Sequence, residues 1–454
     1  MSQTVDLCIR NATLVSHNGI GKADVAVRDG RIVAIGDLKG TLAAQDMDAT
    51  GLHLLPGVID TQVHFREPGN EHKEDLESGS IAAVMGGVTA VFEMPNTKPS
   101  TSTAEALADK VSRARDRMFC DFAFYVGATG DNAAALAALE QEEGCCGVKV
   151  FMGSSTGDLL VSDDAALLRV LQSGRRRVAI HAEDEERLNA RKSVCRADDP
   201  SSHPDWRDVQ TALLATKRIV GLARRAGRRI HVLHVTTAEE MAFLAENKDI
   251  ASIEATPQHL TLAGEDCYKQ LGTYAQMNPP IREARHRDAL WEAVADGRVD
   301  VIGSDHAPHT REEKAKAYPA SPSGMPGVQT LLPLLLTHVA QGRLSLERLV
   351  DLTSHGANRL FNLRDKGRLA VGFDGDFTLV DLKKSWTVEE TWLAARCGWS
   401  PFTGMQMTGK PTATIVRGRI VMREDELVGT AGGRPVRFQE TIRPQGDEAL
   451  MKRA

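Results

Sequence analysis

The sequence predicts an α/β protein whose main part is a closed (β/α)8 barrel, the TIM barrel, with a β-rich segment at each end of the chain. Between about residues 56 and 365, short apolar runs alternate with helical patterns, as a repeated βα unit requires. Eight such runs occur, which is the number that closes this barrel. The sequence contains neither GxGxxG nor a GxxxxGK(S/T) phosphate loop, and this weighs against a nucleotide-binding open sheet.

Each of the eight predicted strands is a short run of aliphatic or aromatic residues, many of them β-branched, as expected for buried parallel strands. The runs are LLPGVID (54–60), GVTAVFEMP (87–95), DFAFYVG (121–127), GVKVFM (147–152), RVAIHA (177–182), RIHVLHV (229–235), SIEATP (252–257) and VDVIGSD (299–305). Helical patterns separate them, for example over 103–115, 163–174 and 208–227.

The two chain ends have a different, alternating pattern that is typical of β-strands joined by tight turns. Near the start, Arg-Asp-Gly separates two alternating segments, and near the end Arg-Gly-Arg does the same. We therefore predict three regions: 1–55 as the first part of a β domain, 56–365 as the barrel, and 366–454 as the second part of the β domain and a tail. The pattern alone leaves open whether the two β segments pair.

Composition narrows the function classes. The chain has 454 residues, 42% of them hydrophobic, and a net charge of −6. Such a chain is long enough for one large domain and a smaller one, and it has no basic stripe for nucleic acid or an anionic membrane. We expect a cytoplasmic protein, because no signal peptide or membrane span is evident. The seven cysteines lack CxxC spacing and are expected to be reduced thiols.

A polar segment rich in Pro and Gly, HTREEKAKAYPASPSGMPG (309–327), follows the eighth run. Its place after a strand end suits an active-site lid, and an ordinary surface loop is the alternative. The tail after Val436 carries no usable pattern.

Metal-ligand side chains stand at the polar ends of four runs. They are His64, His181, His234 and Asp305. The carboxyl ends of barrel strands open onto one face, so these side chains should converge around a shared ion. A single histidine at a strand end is more often a packed or surface residue, but three histidines and an aspartate in this order favour a metal-dependent hydrolase. Imidazole and carboxylate suit zinc or manganese.

Position 62 is unusual. In DTQVHFRE, the side chains of residues 62 and 64 point to the same side of a strand, but residue 62 is Gln. An amide oxygen is a weaker zinc ligand than imidazole, so we expect a metal near this strand to be held less tightly.

Several segments resemble dihydroorotase, a cyclic amidohydrolase of the amidohydrolase superfamily, and the similarity spans nearly the whole chain. The segments are GVIDTQVHFREPG, EMPNT, GVKVFMG, SDHAPHTREEK, SGMPGVQTLLPLL and SPFTGMQMTG, of which HFREPG and DHAPHT are the most specific. The resemblance implies a barrel with a composite β-sandwich built from both chain ends.

The resemblance also implies a zinc centre of one or two ions. Its ligands would be His64, Lys149, His181, His234 and Asp305. A lysine ammonium cannot bind a cation, so Lys149 would have to be N6-carboxylated, and a lysine paired with a carboxylate is the alternative. Family members usually carry histidine at position 62, which puts one of the two metal positions in doubt. Gln258 likewise stands where many relatives have histidine.

For the substrate, the resemblance assigns Arg66, Asn96 and His309 to the carboxylate of dihydroorotate and Asn278 to its ring. An arginine fork suits a carboxylate, and an amide can both donate and accept on a ring amide. The alternative for Arg66 is an ion pair with Glu67 or Glu74.

The implied reaction is reversible hydrolysis of the cyclic amide of dihydroorotate to N-carbamoyl-aspartate, a step of pyrimidine biosynthesis. A metal-bound hydroxide would be the nucleophile, and Asp305 would act as general base and then general acid.

Two alternatives stay open at this point. One is a related cyclic amidase such as dihydropyrimidinase or allantoinase, and the other is a catalytically silent partner of aspartate transcarbamoylase. A homodimer is suggested by the resemblance alone.

Overall fold

The computed structural model describes residues 4–154 and 159–439. The first part of the chain forms five strands that belong to a sheet outside the barrel. They are β1 (Val5–Ser16), β2 (Gly19–Arg28), β3 (Arg31–Gly36), β4 (Ala43–Asp48) and β5 (His53–Pro56). The predicted turn between β2 and β3 is confirmed: Asp29 and Gly30 both have positive φ, of 52° and 75°, as a two-residue hairpin turn of type I′ requires.

The predicted eight-stranded barrel is confirmed. Its strands are β6 (Val58–Val63), β7 (Val88–Glu93), β8 (Asp121–Gly127), β9 (Cys145–Phe151), β10 (Val178–His181), β11 (Ile230–Val232), β12 (Ala251–Ala255) and β13 (Val301–Ile302). Each pairs in parallel with its neighbour in chain order. A parallel bridge between Val63 and His306 closes the circle, and there His64 N donates to His306 O at 2.7 Å.

The first run, LLPGVID, divides between the two sheets instead of forming one barrel strand. Residues up to Pro56 lie in β5, and the barrel strand begins at Val58. Gly57 joins them where a Cβ would lie 2.3 Å from Thr89 Oγ1, so a side chain cannot fit there. The predicted region boundaries at 55/56 and 365/366 remain predictions.

Helices surround the barrel, and the three long helical patterns are confirmed. The α-helices are α1 (Leu76–Met85), α2 (Ala104–Ala114), α3 (Leu136–Leu139), α4 (Asp164–Gln172), α5 (Glu185–Arg191), α6 (His203–Trp206), α7 (Val209–Ala226), α8 (Ala238–Ala245), α9 (Pro257–Thr261), α10 (Gly264–Leu271), α11 (Ala284–Ala295), α12 (Arg311–Lys314), α13 (Leu331–Ala340), α14 (Leu346–Val350) and α15 (Gly356–Phe361). Asp208 caps the start of α7 through Thr211 N, and Gly227 ends it in the left-handed conformation.

The end of the chain returns to the first sheet. Its strands are β14 (Phe377–Thr387), β15 (Gln406–Val416), β16 (Arg419–Arg423) and β17 (Glu426–Leu427). The strand order is β17-β16-β15-β14-β5-β1-β2-β3, with β4 beside β1, so β5 joins the two chain ends. The prediction of a composite β domain is thus confirmed, as a nine-stranded sheet.

The segment 309–327 is more ordered than a plain loop. It contains α12, and the ammonium of buried Lys314 donates to Gln276 O at 3.1 Å and to Pro322 O at 2.9 Å. A bridge between His306 and Met325 fixes its far end. The tail beyond residue 439 lies outside the described residues. In the part of the chain that the structure describes, no helix has both the length and the apolar character that crossing a membrane requires. The seven cysteines are free thiols.

Candidate active site

The structure brings the five predicted ligand residues together at the carboxyl end of the barrel. His64 follows β6, Lys149 lies in β9, His181 ends β10, and His234 and Asp305 lie shortly after β11 and β13. All five line one pocket, together with Gln62, Arg66, Asn96, Phe151, Asn278, Ala307, Ser323 and Gly324. His309 is the one predicted site residue that does not line it.

The pocket is narrow. The space inside it is about 30 Å³, enough for a water molecule but far below the volume of a small-molecule site. Ser323 and Gly324, from the segment 309–327, form part of its wall. The segment therefore contributes to the pocket wall, and its role as a lid stays a prediction.

Two histidines form the first half of the site. His181 Nδ1 lies 3.1 Å from His234 Nε2. Two imidazole nitrogens bound to one tetrahedral zinc ion at about 2.0–2.1 Å would be about 3.4 Å apart. Burial lowers the pKa of both imidazoles, so both are in the neutral form that a metal needs.

An acidic residue that the sequence analysis missed orients this half. Glu183 Oε2 lies 2.8 Å from His181 Nε2 and 2.9 Å from the guanidinium of Arg207. Burial opposes ionisation of Glu183, but Arg207 and His181 outweigh it and lower its pKa to about 2. A carboxylate on the second nitrogen of a ligand histidine fixes the ring and its tautomer. The signal was the acid two residues after His181 in HAED, which resembles a helix start.

The second half of the site centres on Asp305. Its Oδ1 accepts a hydrogen bond from Gln62 Nε2 at 2.9 Å and lies 3.2 Å from His64 Nε2. His64 Nδ1 lies 2.8 Å from Asn96 Oδ1. The amide of Gln62 thus contacts the same carboxylate oxygen as His64.

Lys149 lines the same pocket and has no carboxylate partner within the described part of the chain. Its ammonium is buried, makes no hydrogen bond within the described part of the chain, and lies 4.4 Å from the ring centre of Phe151. Burial lowers its pKa to about 7, so much of it is a neutral amine at neutral pH. The alternative of an ion-paired lysine does not apply, and a neutral amine is the form that can add carbon dioxide.

Strained backbone conformations coincide with the site. Arg66, His234 and Asp305 have φ values of 68°, 37° and 45°, in the left-handed region that non-glycine residues rarely adopt. Such strain persists only where the surroundings hold it, and it concentrates at functional sites.

Arg66 is buried at the pocket wall and has no carboxylate partner. Its Nε donates to Pro308 O at 3.1 Å, and its Nη2 lies 3.3 Å from His309 Nε2. Burial lowers its pKa to about 10, which leaves it charged at neutral pH. His309 therefore reaches the site through Arg66. The alternative partners are engaged elsewhere, Glu67 with Arg117 and Glu74 with the backbone of Arg396.

Asn278 is held by a histidine that the sequence analysis also missed. His203 Nε2 lies 2.9 Å from Asn278 Oδ1 and 3.1 Å from Met277 O. Its Nδ1 lies 3.3 Å from the hydroxyl of Tyr318, which belongs to the segment 309–327. A lone histidine at the start of a four-residue helix gave no signal in the sequence.

A second acidic cluster lies away from the pocket. Asp121, Asp374 and Asp376 have carboxylate oxygens close enough to hold a cation. The ammonium of Lys366 already lies 2.5, 3.0 and 2.5 Å from them, so this is a buried ion-pair cluster.

Residues 53–421 match the amidohydrolase family. The chain belongs to the amidohydrolase family. Residues 1–50 match the N-terminal domain of the urease alpha-subunit. The amidohydrolase is 40% identical over 421 residues to a dihydroorotase of Halobacterium salinarum, with 91% of this chain and 96% of the relative covered. It is 34% identical over 447 residues to an allantoinase of Deinococcus radiodurans, with 96% and 99% covered.

Among solved structures, the amidohydrolase is similar to an L-hydantoinase (dihydropyrimidinase) from Arthrobacter aurescens. The TM-score is 0.90 at 31% identity, and 95% of this chain and all (100%) of the other are covered. The predicted resemblance is confirmed, and the chain is a cyclic amide hydrolase. The relatives include a dihydroorotase, an allantoinase and an L-hydantoinase, which act on different rings. The choice of ring therefore rests on the site.

Proposed function

We propose that this cyclic amide hydrolase opens dihydroorotate reversibly to N-carbamoyl-aspartate, using a zinc centre of one or two ions. The reverse direction would close the ring in pyrimidine biosynthesis. One observation supports this choice of substrate above the others. A buried, charged arginine lies at the pocket wall and forms no ion pair with any described residue.

That arginine is Arg66, only 3% exposed. Burying a guanidinium without a counter-ion costs free energy, and a carboxylate on the substrate would supply the missing charge. A planar fork of donors suits a carboxylate, and Asn96 lies in the same pocket. Rings without a carboxylate, such as dihydrouracil and allantoin, would leave Arg66 uncompensated.

The donor set fits a divalent cation. His181 and His234 offer neutral imidazoles 3.1 Å apart, and Lys149, once carboxylated, would offer two oxygens in the same pocket. His64 and Asp305 form the other half. When bound, zinc lowers the pKa of a water molecule toward about 7 and polarises the amide carbonyl.

Asp305 is the group that we assign to proton transfer. Its Oδ1 is fixed by Gln62 and His64, and its Oδ2 has no hydrogen bond within the described part of the chain. Oδ2 would take the proton of the attacking water and return it to the ring nitrogen as the amide bond breaks.

A second candidate substrate is an uncharged ring, because an allantoinase and an L-hydantoinase are among the relatives. Its weakness is the uncompensated Arg66. The predicted homodimer and the association with aspartate transcarbamoylase stay predictions from the resemblance.

The test is a comparison of kcat/KM for dihydroorotate, dihydrouracil, hydantoin and allantoin by the same preparation. We expect dihydroorotate to exceed each uncharged ring by about a hundredfold or more, since the buried charge is then paired. A preference for any uncharged ring would overturn the proposal while leaving the family assignment intact.

A further inference from the structure

His203 is a buried histidine outside the metal-ligand set, at the start of α6, and it contacts a residue of the pocket wall. We propose that His203 is a positioning residue that fixes which end of the Asn278 amide faces the substrate, so that the site requires a hydrogen-bond acceptor in the ring at that point. The inference rests on the proposed function for its substrate, but not for its geometry.

The direction of the hydrogen bonds follows from one atom that can only accept. His203 Nε2 lies 3.1 Å from Met277 O, a backbone carbonyl, so Nε2 must carry the hydrogen. The Asn278 atom 2.9 Å from the same nitrogen must then also be an acceptor, which is Oδ1. This removes the usual ambiguity of an amide that fits in two orientations.

The other ring nitrogen supports the same tautomer. With Nε2 protonated, Nδ1 of the neutral ring is an acceptor, and the Tyr318 hydroxyl 3.3 Å away can donate to it. The same hydroxyl also lies 3.3 Å from Cys195 Sγ and can donate to that sulfur instead. Burial lowers the pKa of His203 to about 3, so the ring stays neutral at working pH.

The consequence lies at the pocket. Because Oδ1 of Asn278 is held by His203, the NH2 end of the amide is directed away from His203, and Asn278 lines the pocket. A donor there recognises a carbonyl oxygen. Of the two ring carbonyls of dihydroorotate, the hydrolysed one goes to the metal centre, which leaves the urea carbonyl for Asn278.

Tyr318 links this arrangement to the segment 309–327. The same segment holds the backbone next to Asn278, because Gly324 N donates to Gln276 O at 2.9 Å and Gln276 Nε2 donates to Ser321 O at 3.0 Å. The segment 309–327 and the part of the chain that carries Asn278 are therefore held to each other by hydrogen bonds.

The first test uses an almost isosteric change. Asn278→Asp keeps an oxygen for His203 but turns an acceptor toward the ring carbonyl, so we expect KM for dihydroorotate to rise about a hundredfold. If Asn278 instead presented its oxygen to a ring N–H, the aspartate would be tolerated. An Asn278→Asp KM within about threefold of wild type overturns the proposal.

The second test addresses His203 itself. His203→Leu removes the donor, and His203→Gln retains an N–H that can reach Oδ1. We expect His203→Leu to raise KM about tenfold with kcat within about threefold, and His203→Gln to restore KM to within about threefold of wild type. Equal losses of KM and kcat in both variants would indicate a packing role only and would overturn the proposal.

A substrate readout separates positioning from folding. Replacing the urea oxygen of dihydroorotate by sulfur gives a weak acceptor, so wild type should prefer the oxygen substrate about tenfold and His203→Leu should lose most of that preference. An unchanged preference overturns the proposal. If His203→Leu does not fold, Asn278→Asp and His203→Gln still decide. If dihydroorotate is inert, the proposed function fails, and the same variants are measured on dihydrouracil, which also carries a urea carbonyl.

Discussion

Replacing Arg66 by alanine should weaken dihydroorotate binding far more than it slows the chemistry. The guanidinium is buried, charged and without an ion-pair partner in the described part of the chain, so a substrate carboxylate would be its main counter-ion. A hydrogen bond to a charged group contributes about 1.5–3 kcal/mol, and truncating one partner of a buried charge pair costs about 2–5 kcal/mol. Taking about 3 kcal/mol, KM should rise about 150-fold, because 1.4 kcal/mol is a factor of ten.

The assay is steady-state ring opening followed by ultraviolet absorbance, for dihydroorotate and for dihydrouracil. For Arg66→Ala we expect kcat within about fivefold of wild type for dihydroorotate and kcat/KM within about threefold for dihydrouracil, which has no carboxylate to lose. Arg66→Lys is the matched control: it keeps the charge, loses the fork and should fall between the two. None of the three residues is glycine, so the positive φ of 68° is not relieved in either variant.

Two results would refute this reasoning. Equal losses for the two substrates would mean that Arg66 supports the pocket wall, through Pro308 O and His309, without contacting a carboxylate. An unchanged KM for dihydroorotate would mean that its carboxylate lies elsewhere.

Three further predictions concern catalysis, metal content and acid stability. Asp305→Ala should lower kcat by about 10³-fold or more, because it removes the group that we propose for proton transfer and for metal binding. Near-wild-type turnover would remove Asp305 from the mechanism. Gln62→His should raise the zinc retained after dialysis from about one ion per chain toward two, because imidazole binds zinc better than the amide that now contacts Asp305. Elemental analysis measures the zinc content, and an equal content in both proteins would contradict this prediction. Burial lowers the pKa of His338 to about 4, against about 6.5 in the unfolded chain. Between these two pH values the unfolded chain binds one more proton than the folded chain. The free energy of unfolding therefore falls as the pH falls through this range. His338→Gln should therefore lose about 2 kcal/mol less than wild type between pH 7 and 4.5 in urea titrations, and parallel pH profiles would show that the imidazole is not buried neutral.

The barrel was predictable because its strands are buried along their whole length. Every residue of β6 to β9 is buried, so each strand is rich in aliphatic and aromatic residues, with a few polar residues such as Gln62 and Lys149 among them. The prediction failed in detail at LLPGVID, which has the pattern of a single strand but divides between two sheets. Gly57, where the chain passes close to Thr89, does not break that apolar pattern. The close approach of Gly57 to side chains distant in sequence is a tertiary property, and a single sequence does not show it.

The convergence of the proposed ligand residues in one pocket was predictable for a related reason. His181 and Asp305 stand where apolar runs end, and strand ends converge in a barrel whatever their sequence separation. The residues that support them were not predictable. Glu183 follows the strand in a pattern that also starts a helix, and His203 lies alone on a short helix. Glu183 contacts His181, two residues before it, and Arg207. His203 contacts Asn278, which is distant in sequence.

The role of His309 illustrates the same limit. The motif after β13 placed it near the substrate, but in the structure it lies behind Arg66 with Lys73 at 3.2 Å from its Nδ1. Motifs identify the neighbourhood of a side chain, whereas the direction in which it points depends on the loop that carries it.

The most direct test of the central claim is ring opening of dihydroorotate by protein reconstituted with zinc in the presence of bicarbonate. We expect turnover that depends on both zinc and bicarbonate: it is lost after chelation, returns with zinc, and is weaker without bicarbonate because Lys149 then stays a free amine. A folded, zinc-loaded protein that leaves dihydroorotate intact would contradict it.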